Sequence, residues 1–324
     1  MCQITIEKTI KDFESLNSIR HSKIKMIPSL PLPELSADDL SVYSFDSSQD
    51  NLSNITASPQ RNWDLLNIFG FTETNFPPVR ITSNSSVVFA KSTADSNIYA
   101  MKISTKKKRI MNEFENRQKL PDSPFLVKIY DIYESQNIAI LQVEKCKYDI
   151  FKRKLNEDQC WRLLRDIGSA LSIIHSLGFI HMDVSPTNIL IKETGDFVLS
   201  DFGTLIEDSE FTIGCEGSGP YASPEALDSG HNYSVSCSSD IFSFGVTLLE
   251  VSTGFFAPRG ESEMYHQLRK GEIKLGNMEK VDAFYQCSFS QLFIDLINKM
   301  IDPNPENRPS SIQLIEIANY VLQK

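Results

Sequence analysis

Ile180-His181-Met182-Asp183-Val184-Ser185-Pro186-Thr187-Asn188-Ile189-Leu190 is the stretch whose reading decides the fold. Two apolar runs flank a tight turn that carries one Asp and one Asn, Asp183 and Asn188, five positions apart. Further on, a third apolar run, Phe197-Val198-Leu199, ends in Ser200-Asp201-Phe202-Gly203. Short apolar runs bounded by turn residues read as strands, so the carboxylates and the amide are expected on loops at strand ends. Either piece alone is a weak signal. Together, at this separation, they form a constellation.

Composition limits what that constellation can serve. The chain has 324 residues, room for one two-lobed domain plus a tail or for two small domains. Its hydrophobic fraction of 41% and charged fraction of 23% are those of a soluble globular protein. A formal net charge of -10 disfavours nucleic acid as a partner, because that role wants a basic surface. No run approaches the roughly 18 apolar residues that a membrane span requires, and Met1–Glu14 lacks the apolar core and cleavage site of a signal peptide. Cys2, Cys146, Cys160, Cys215, Cys237 and Cys287 form no C-x-x-C pair, so neither a zinc site nor a disulfide framework is indicated. A reducing compartment is the default for such a chain.

Residues 1–75 read as a disordered regulatory tail. Ser36–Ser58 holds seven serines, several Asp and only isolated apolar residues, too little apolar surface to offset the ordering of the chain. The prolines at Pro28, Pro31 and Pro33 suit an extended linker or docking peptide. Ser58-Pro59 is either a proline-directed phosphorylation site or an incidental dipeptide. Trp63–Phe69 is too apolar for free solution, so it either packs on the domain edge or binds a partner. From Phe76 onward strands dominate: a hairpin of Val87–Ala90 with Asn97–Lys102, a helix over Ile110–Leu120, then strands over Leu126–Tyr133 and Asn137–Val143. After Cys146 the chain turns helical. Cys160, Leu164, Ile167, Leu171 and Ile174 make one apolar stripe on a helix running to about Ser176, with Gly178 suited to its C-terminal cap. Asp240–Glu250 is apolar almost all round, as a buried central helix should be, and Leu292–Ile301 and Ser310–Leu322 close the chain as helices. The fold class is therefore α+β and bilobal, with a domain over 76–324: a β-rich N-lobe over 76–143, a hinge at 144–147 and a helical C-lobe over 148–324.

On that framework H-x-D-x-x-x-x-N followed by D-F-G is the pair of catalytic and metal-holding loops of a protein kinase. Phosphoryl transfer needs little covalent help; it needs positioning and neutralisation of phosphate charge. Lys102, in Ala100-Met101-Lys102, stands where the lysine gripping the α- and β-phosphates of ATP belongs. Glu113, early in the next helix, is its favoured partner, with Glu115 as the rival. Asp201 and Asn188 offer carboxylate and amide oxygens to Mg2+, and Asp183 would accept or orient the proton of the substrate hydroxyl. The hinge around Glu144 and Cys146 is expected to hold adenine, with Val88, Ala100 and Leu190 around the nucleotide. Glu225, in Ser223-Pro224-Glu225, is placed to pair with Arg308, and Asp240 to bond the catalytic-loop backbone.

The loop His181-Met182-Asp183-Val184-Ser185-Pro186-Thr187-Asn188-Ile189-Leu190 resembles that of the Wee and Myt kinases, H-M-D-I-K-P-S-N-I-F, with Met in place of the usual Arg. Leu141–Cys146, Glu216-Gly217, Tyr265–Gly271 and Met300–Pro309 are also similar to stretches of that family. The resemblance covers about residues 76–321. It implies a monomeric kinase that phosphorylates a cyclin-dependent kinase–cyclin complex on an inhibitory tyrosine. Met182 cannot pair with a phosphate as Arg does, so an activation segment that orders without phosphorylation is expected. Lys106-Lys107-Lys108-Arg109 reads either as a nuclear-import tetrad or as a solvated basic loop between strand and helix. The expected location is nuclear, with cytoplasmic as the alternative.

Several positions depart from the family pattern. The stretch Arg80–Val88 has no glycine where backbone must approach phosphates closely. Ser185 replaces the lysine that neutralises the transferring phosphate, and the loss of one such stabiliser costs on the order of 10²–10³ in rate in other enzymes. Ser218 and Val143 replace an expected Asp and Asn. Two classes of function therefore compete: a slow active kinase, and a pseudokinase that binds or scaffolds. An active kinase of another family, with Ser/Thr specificity, is a third.

Overall fold

The computed structural model describes residues 59–81, 85–135, 137–208, 219–227, 234–260, 262–276 and 289–324. Residues 1–58, 82–84 of the glycine-less stretch and Glu216–Ser218 lie outside the described residues. The chain falls into two compact units, and the division is not a single cut: Gln118–Val127 belongs with Lys147–Lys324, while Lys128–Cys146 belongs with the residues through Arg117. Strand-like contacts explain why 118–127 leaves the contiguous 76–143 lobe: Val127 N donates to Leu199 O at 2.9 Å and Leu199 N to Phe125 O at 2.9 Å.

In the smaller unit a six-stranded sheet is built from β1 (Phe71–Glu73), β2 (Arg80–Ile81), β3 (Ser85–Ser92), β4 (Ile98–Ser104), β5 (Ile129–Glu134) and β6 (Ala139–Val143). Its order is β1-β3-β4-β6-β5, with β2 also on β3, and every pairing is antiparallel. Residues directly opposite in an antiparallel pair share a face. One face therefore carries Val88, Met101 and Gln142, and the other Val87, Lys102 and Leu141, then Phe89, Ala100 and Val143.

The first of these faces is covered by residues within 1–75, the stretch expected to be a disordered tail. Helix α1 (Pro59–Ile68) and β1 lie inside the 1–75 tail. Leu66 is fully buried among Phe71, Val88, Ala90, Met101, Ile103 and Ile140, with Trp63, Leu65 and Phe69 packed alongside. The apolar Trp63–Phe69 run thus packs on its own domain, and the ordered part begins at least as early as Pro59. Burial of these side chains contributes roughly 1.5–3 kcal/mol each, which a polar tail could not supply.

Helix α2 (Lys107–Gln118) starts three residues before the expected Ile110. Lys107, Lys108 and Arg109 are therefore its first turn and not a basic loop. Lys107 Nζ lies 2.9 Å from Glu134 Oε2 and donates to Ser135 O at 3.0 Å. That engagement removes one member of the proposed import tetrad from free solvent.

The larger unit is built on helices. α3 (Glu157–Ser176) opens on a capping box from Asn156 and Gln159, and its expected stripe of Cys160, Leu164, Ile167, Leu171 and Ile174 is buried. Gly178, at φ +77°, turns the chain one residue beyond the Leu177 cap. Short strands β7 (Tyr148–Asp149), β9 (Ile189–Ile191) and β10 (Phe197–Leu199) form one small sheet, and β8 (Phe179–Ile180) pairs with β11 (Ile206–Glu207) in another. After the short α4 (Pro224–Leu227) comes α5 (Cys237–Thr253), buried along nearly its whole length as its all-round apolar sequence requires. A Cβ at Gly245 would stand 2.8 Å from side-chain atoms of Met300 and Ile301, so only glycine lets that helix approach its neighbour. α6 (Glu263–Arg269), α7 (Gln291–Met300) and α8 (Ser311–Leu322) complete the unit.

Candidate active site

The loop between β8 and β9 holds Asp183 and Asn188, and it is tied down from several directions. Asp240, completely buried at the start of α5, accepts from the backbone N–H of His181 at 2.8 Å and of Met182 at 2.9 Å. Its Oδ2 also faces His175 Nε2 at 2.9 Å. Burial alone would push this carboxyl's pKa up, but His175 and the backbone donors outweigh it and hold the pKa below its ordinary 3.8. Thr247 Oγ1 donates to Val184 O at 3.2 Å and Thr204 Oγ1 to His181 O at 2.9 Å. Fixed this way, Met182 keeps φ at +67°, a left-handed conformation that costs a non-glycine residue about 1–2 kcal/mol.

Asn188 closes the turn from inside. Its Nδ2 donates to Asp183 O at 2.9 Å, which leaves the amide oxygen on the opposite branch of the fork. Asn188 O in turn accepts from both Ser200 N and Ser200 Oγ at 2.8 Å, so the loop bearing Asp183 and the loop bearing Asp201 are stitched together. Asp201 is also left-handed, at φ 62° and ψ 79°, and caps the 3-10 turn at Phe202–Thr204. Strained backbone held by so many bonds is typical of sites where geometry matters more than stability. His181, fully buried, accepts from Asp183 N at Nδ1 (3.3 Å), so its Nε2–H is the donor toward Ser200 O at 3.2 Å. Its ring stands edge-on to Phe202 at 5.7 Å. His181 thus packs behind the loop and bonds backbone.

Ser185 is buried, and its hydroxyl meets Thr187 Oγ1 at 3.1 Å. The position that usually offers a cation therefore offers a hydroxyl turned into the loop. Met182 is buried with Ile180, Ala226 and Val235, an apolar setting that matches its replacement of arginine. Leu190 lies on β9, half-buried, between Ile189 and Ile191.

The smaller unit, described by itself, carries its own group of candidate residues. Lys102 Nζ lies 2.6 Å from Glu113 Oε2, and Glu113 is almost fully buried while Glu115 is exposed. The partner is thus Glu113. Ala100 shares the face of Lys102. Val88 does not: it lies opposite Met101, on the face covered by α1. The assignment of Val88 to the nucleotide's surroundings is corrected on that ground. Val87 and Phe89 are the β3 residues beside Lys102 and Ala100. At the hinge, Glu144 N donates to Lys128 O at 2.8 Å and Glu144 Oε2 accepts from Lys128 N at 3.2 Å, while Cys146 is buried.

Sequence reasoning missed three supporting groups. His175 orients Asp240. Thr247, with Ser243 one of two hydroxyls in the run Ile241–Leu249, was the one with a readable signal. Arg269 is buried and donates to the carbonyls of Gly219 (2.9 Å), Pro220 (3.2 Å) and Ala222 (2.8 Å), fixing the approach to Ser223-Pro224-Glu225. Burial pulls its pKa down to about 10.

Asp240 provides a direct test of how the loop is held. Replacing it with Asn removes a charged acceptor from two N–H groups and His175, at about 1.5–3 kcal/mol per charged bond, and should slow catalysis by loosening Asp183. Because the folded pKa is depressed, the carboxylate's contribution is present above pH ~3.8 and is lost as pH falls through the folded value. Urea unfolding of wild type and Asp240→Asn across pH 3–7 should therefore show a gap that narrows in acid. A gap independent of pH would contradict this role.

Among the described residues no cluster of three or more His, Cys, Asp or Glu forms a metal site. The donor set that fits a hard cation is smaller, the Asn188 amide oxygen with the Asp201 carboxylate, and both are oxygen ligands of the kind Mg2+ takes. No described helix is long and apolar enough to cross a membrane.

Comparison with known proteins places this arrangement. Residues 82–320 match the protein kinase domain. The membrane-associated tyrosine- and threonine-specific cdc2-inhibitory kinase wee-1.3 of Caenorhabditis elegans is 32% identical over 270 residues, 78% of this chain and 38% of that protein. The mitosis inhibitor protein kinase mik1 of Schizosaccharomyces pombe is 28% identical over 236 residues, covering 67% of this chain and 40% of the relative. A 3-phosphoinositide-dependent protein kinase 1 of Arabidopsis thaliana is 27% identical over 259 residues, 71% of this chain and 50% of the relative. The chain thus spans half or less of the length of these relatives.

Proposed function

This chain belongs to the protein kinase family, and we propose that it is an active, Wee-like kinase that transfers the γ-phosphate of ATP to a protein hydroxyl, an inhibitory tyrosine of a cyclin-dependent kinase. The observation that carries the reading is the 2.6 Å pair of Lys102 with a nearly fully buried Glu113. A buried carboxylate is costly unless paired, and this pairing supports the reading of Lys102 as the lysine that grips the α- and β-phosphates. The relatives named as cdc2-inhibitory kinases and mitosis inhibitors support the choice of substrate.

Each residue has a stated task. Lys102, oriented by Glu113, grips the phosphates. Asp183, on a loop whose backbone is clamped by Asp240, takes the proton from the attacking hydroxyl while that oxygen forms its bond to the γ-phosphorus and ADP leaves. Asn188 and Asp201 are the residues that would hold magnesium, which when bound neutralises charge on the phosphates. Ser185, lacking a cation, leaves the transferring phosphate less well neutralised, so a modest rate is expected.

A second reading, a pseudokinase acting as a binding module, is favoured by Ser185 alone among the loop residues. Thermal unfolding separates the two. At MgATP ten times its Kd the melting temperature should rise by about 3–5 °C, and Lys102→Met should abolish that ligand-induced rise whatever it does to the baseline. A wild-type protein that melts at the same temperature with and without MgATP supports the module instead.

A further inference from the structure

We infer that Phe89 is a built-in plug on the nucleotide-binding face of the small unit, latched by Phe76 and Lys145, and that it sets the affinity for the base. The inference rests on the kinase reading above and adds a specificity determinant to it.

The argument begins with strand register. Val87–Lys102–Leu141 form one cross-strand row and Phe89–Ala100–Val143 the next row on the same face. Rows two residues apart along a strand are separated by roughly 7 Å. The first row holds the lysine for the phosphates. The second ends at Val143, immediately before the hinge residue Glu144 that is expected to meet the base. The base of a nucleotide whose phosphates reach Lys102 therefore falls on the second row. Ala100 there is small and leaves space; Phe89 fills it.

Phe89 is not free to swing away. Only 9% of it is exposed, although it stands on a face meant for a ligand. The ring of Phe76 meets it edge-on at 5.7 Å, and Lys145 Nζ lies 5.1 Å from the Phe76 centroid and 5.4 Å from that of Phe89. Thr74 Oγ1 donates to Phe89 O at 2.8 Å and holds the Phe76 segment against the strand. An aromatic pair of this kind adds to what burial alone contributes, and the cation over both rings adds to it again. A base must displace this assembly before it can bind, so part of its binding energy is spent on opening the plug.

Isothermal calorimetry on the full chain tests the plug with two probes, adenosine and MgATP. Phe89→Val should tighten both by about tenfold. Phe76→Ala, a change at a side chain that is already 47% exposed, should tighten both by a smaller factor with the fold intact. Unchanged or weaker binding of either probe by a folded Phe89→Val protein would overturn the plug, because Phe89 would then be inert or a stacking platform. A gain seen with MgATP and not with adenosine would overturn it too, since the effect would lie at the phosphates. Should Phe89→Val fail to fold, Phe76→Ala decides: tighter adenosine binding supports the plug and unchanged binding rejects it. Phosphate transfer is measured separately on the same proteins. Tighter binding without transfer would leave the plug standing and remove the kinase reading, and transfer without tighter binding would do the reverse.

Discussion

Asp183→Asn lowers the rate of phosphate transfer by about 10²–10⁴-fold, the range that a positioned general base contributes, while the folded structure and nucleotide binding stay near wild type. The expectation follows from how the loop is anchored. The bonds that shape it run through the backbone: His181 N and Met182 N to Asp240, Asn188 Nδ2 to Asp183 O, and Thr247 Oγ1 to Val184 O. Asn is isosteric with Asp, so the substitution removes the proton acceptor while these backbone bonds remain. Rates at saturating substrate, with melting temperature and MgATP affinity measured in parallel, are the check. A variant that keeps a tenth or more of the wild-type rate would remove Asp183 from the chemistry.

The second large effect is on stability. Arg308→Leu should cost about 3–5 kcal/mol, because it strands Glu225 as an uncompensated buried carboxylate, and for a domain of this size that lowers the melting temperature by roughly 10 °C. The pair is bidentate, Nη1 to Oε1 at 2.6 Å and Nη2 to Oε2 at 2.9 Å, with both side chains essentially out of solvent. Arg308 spends its remaining donors on the carbonyls of Asp302, Ser238 and Pro303, and Glu225 accepts from Ser239 Oγ as well. Burial pushes the Glu225 pKa up, yet the Arg308 bonds and charge prevail and hold it below 4.5. The pair's contribution is therefore present above pH ~4.5 and fades as pH falls through the folded value. Calorimetric unfolding at pH 7 and pH 4 reads both points. A melting temperature within 2 °C or so of wild type at pH 7 would mean that the pair does not hold this corner of the domain.

How legible all this was depended on how local the interaction is. The placement of Asp183, Asn188 and Asp201 on adjoining loops was readable because residue type and spacing within a few loops announce it. The Glu225–Arg308 pair spans 83 positions and was readable only because both ends lie in recognisable motifs. Glu113 was favoured over Glu115 on spacing, and the helix agrees, turning Glu113 inward and Glu115 outward. Val88 went to the wrong face for a different reason. Strand register is fixed by the turn that joins the paired strands, and a shift of one residue moves a side chain through the sheet. Here the turn between β3 and β4 carries Ser96 at φ +63°, a conformation that sequence patterning does not reveal. Helix α1 was half legible: the Trp63–Phe69 run declared that it must be buried, but its partners lie on strands tens of residues away. Arg269 left no trace at all, since backbone carbonyls as partners have no sequence signature.

The central claim is that this chain moves phosphate from ATP to a tyrosine of a cyclin-dependent kinase. The most direct measurement incubates the full chain with γ-labelled ATP, magnesium and a purified cyclin-dependent kinase–cyclin complex whose own kinase activity is blocked by mutation, followed by phosphoamino-acid analysis. The account predicts magnesium-dependent label on tyrosine with wild type, and a signal at least about a hundredfold lower with Asp183→Asn. Equal signal from the two proteins, or none from wild type while it still binds MgATP, would contradict it.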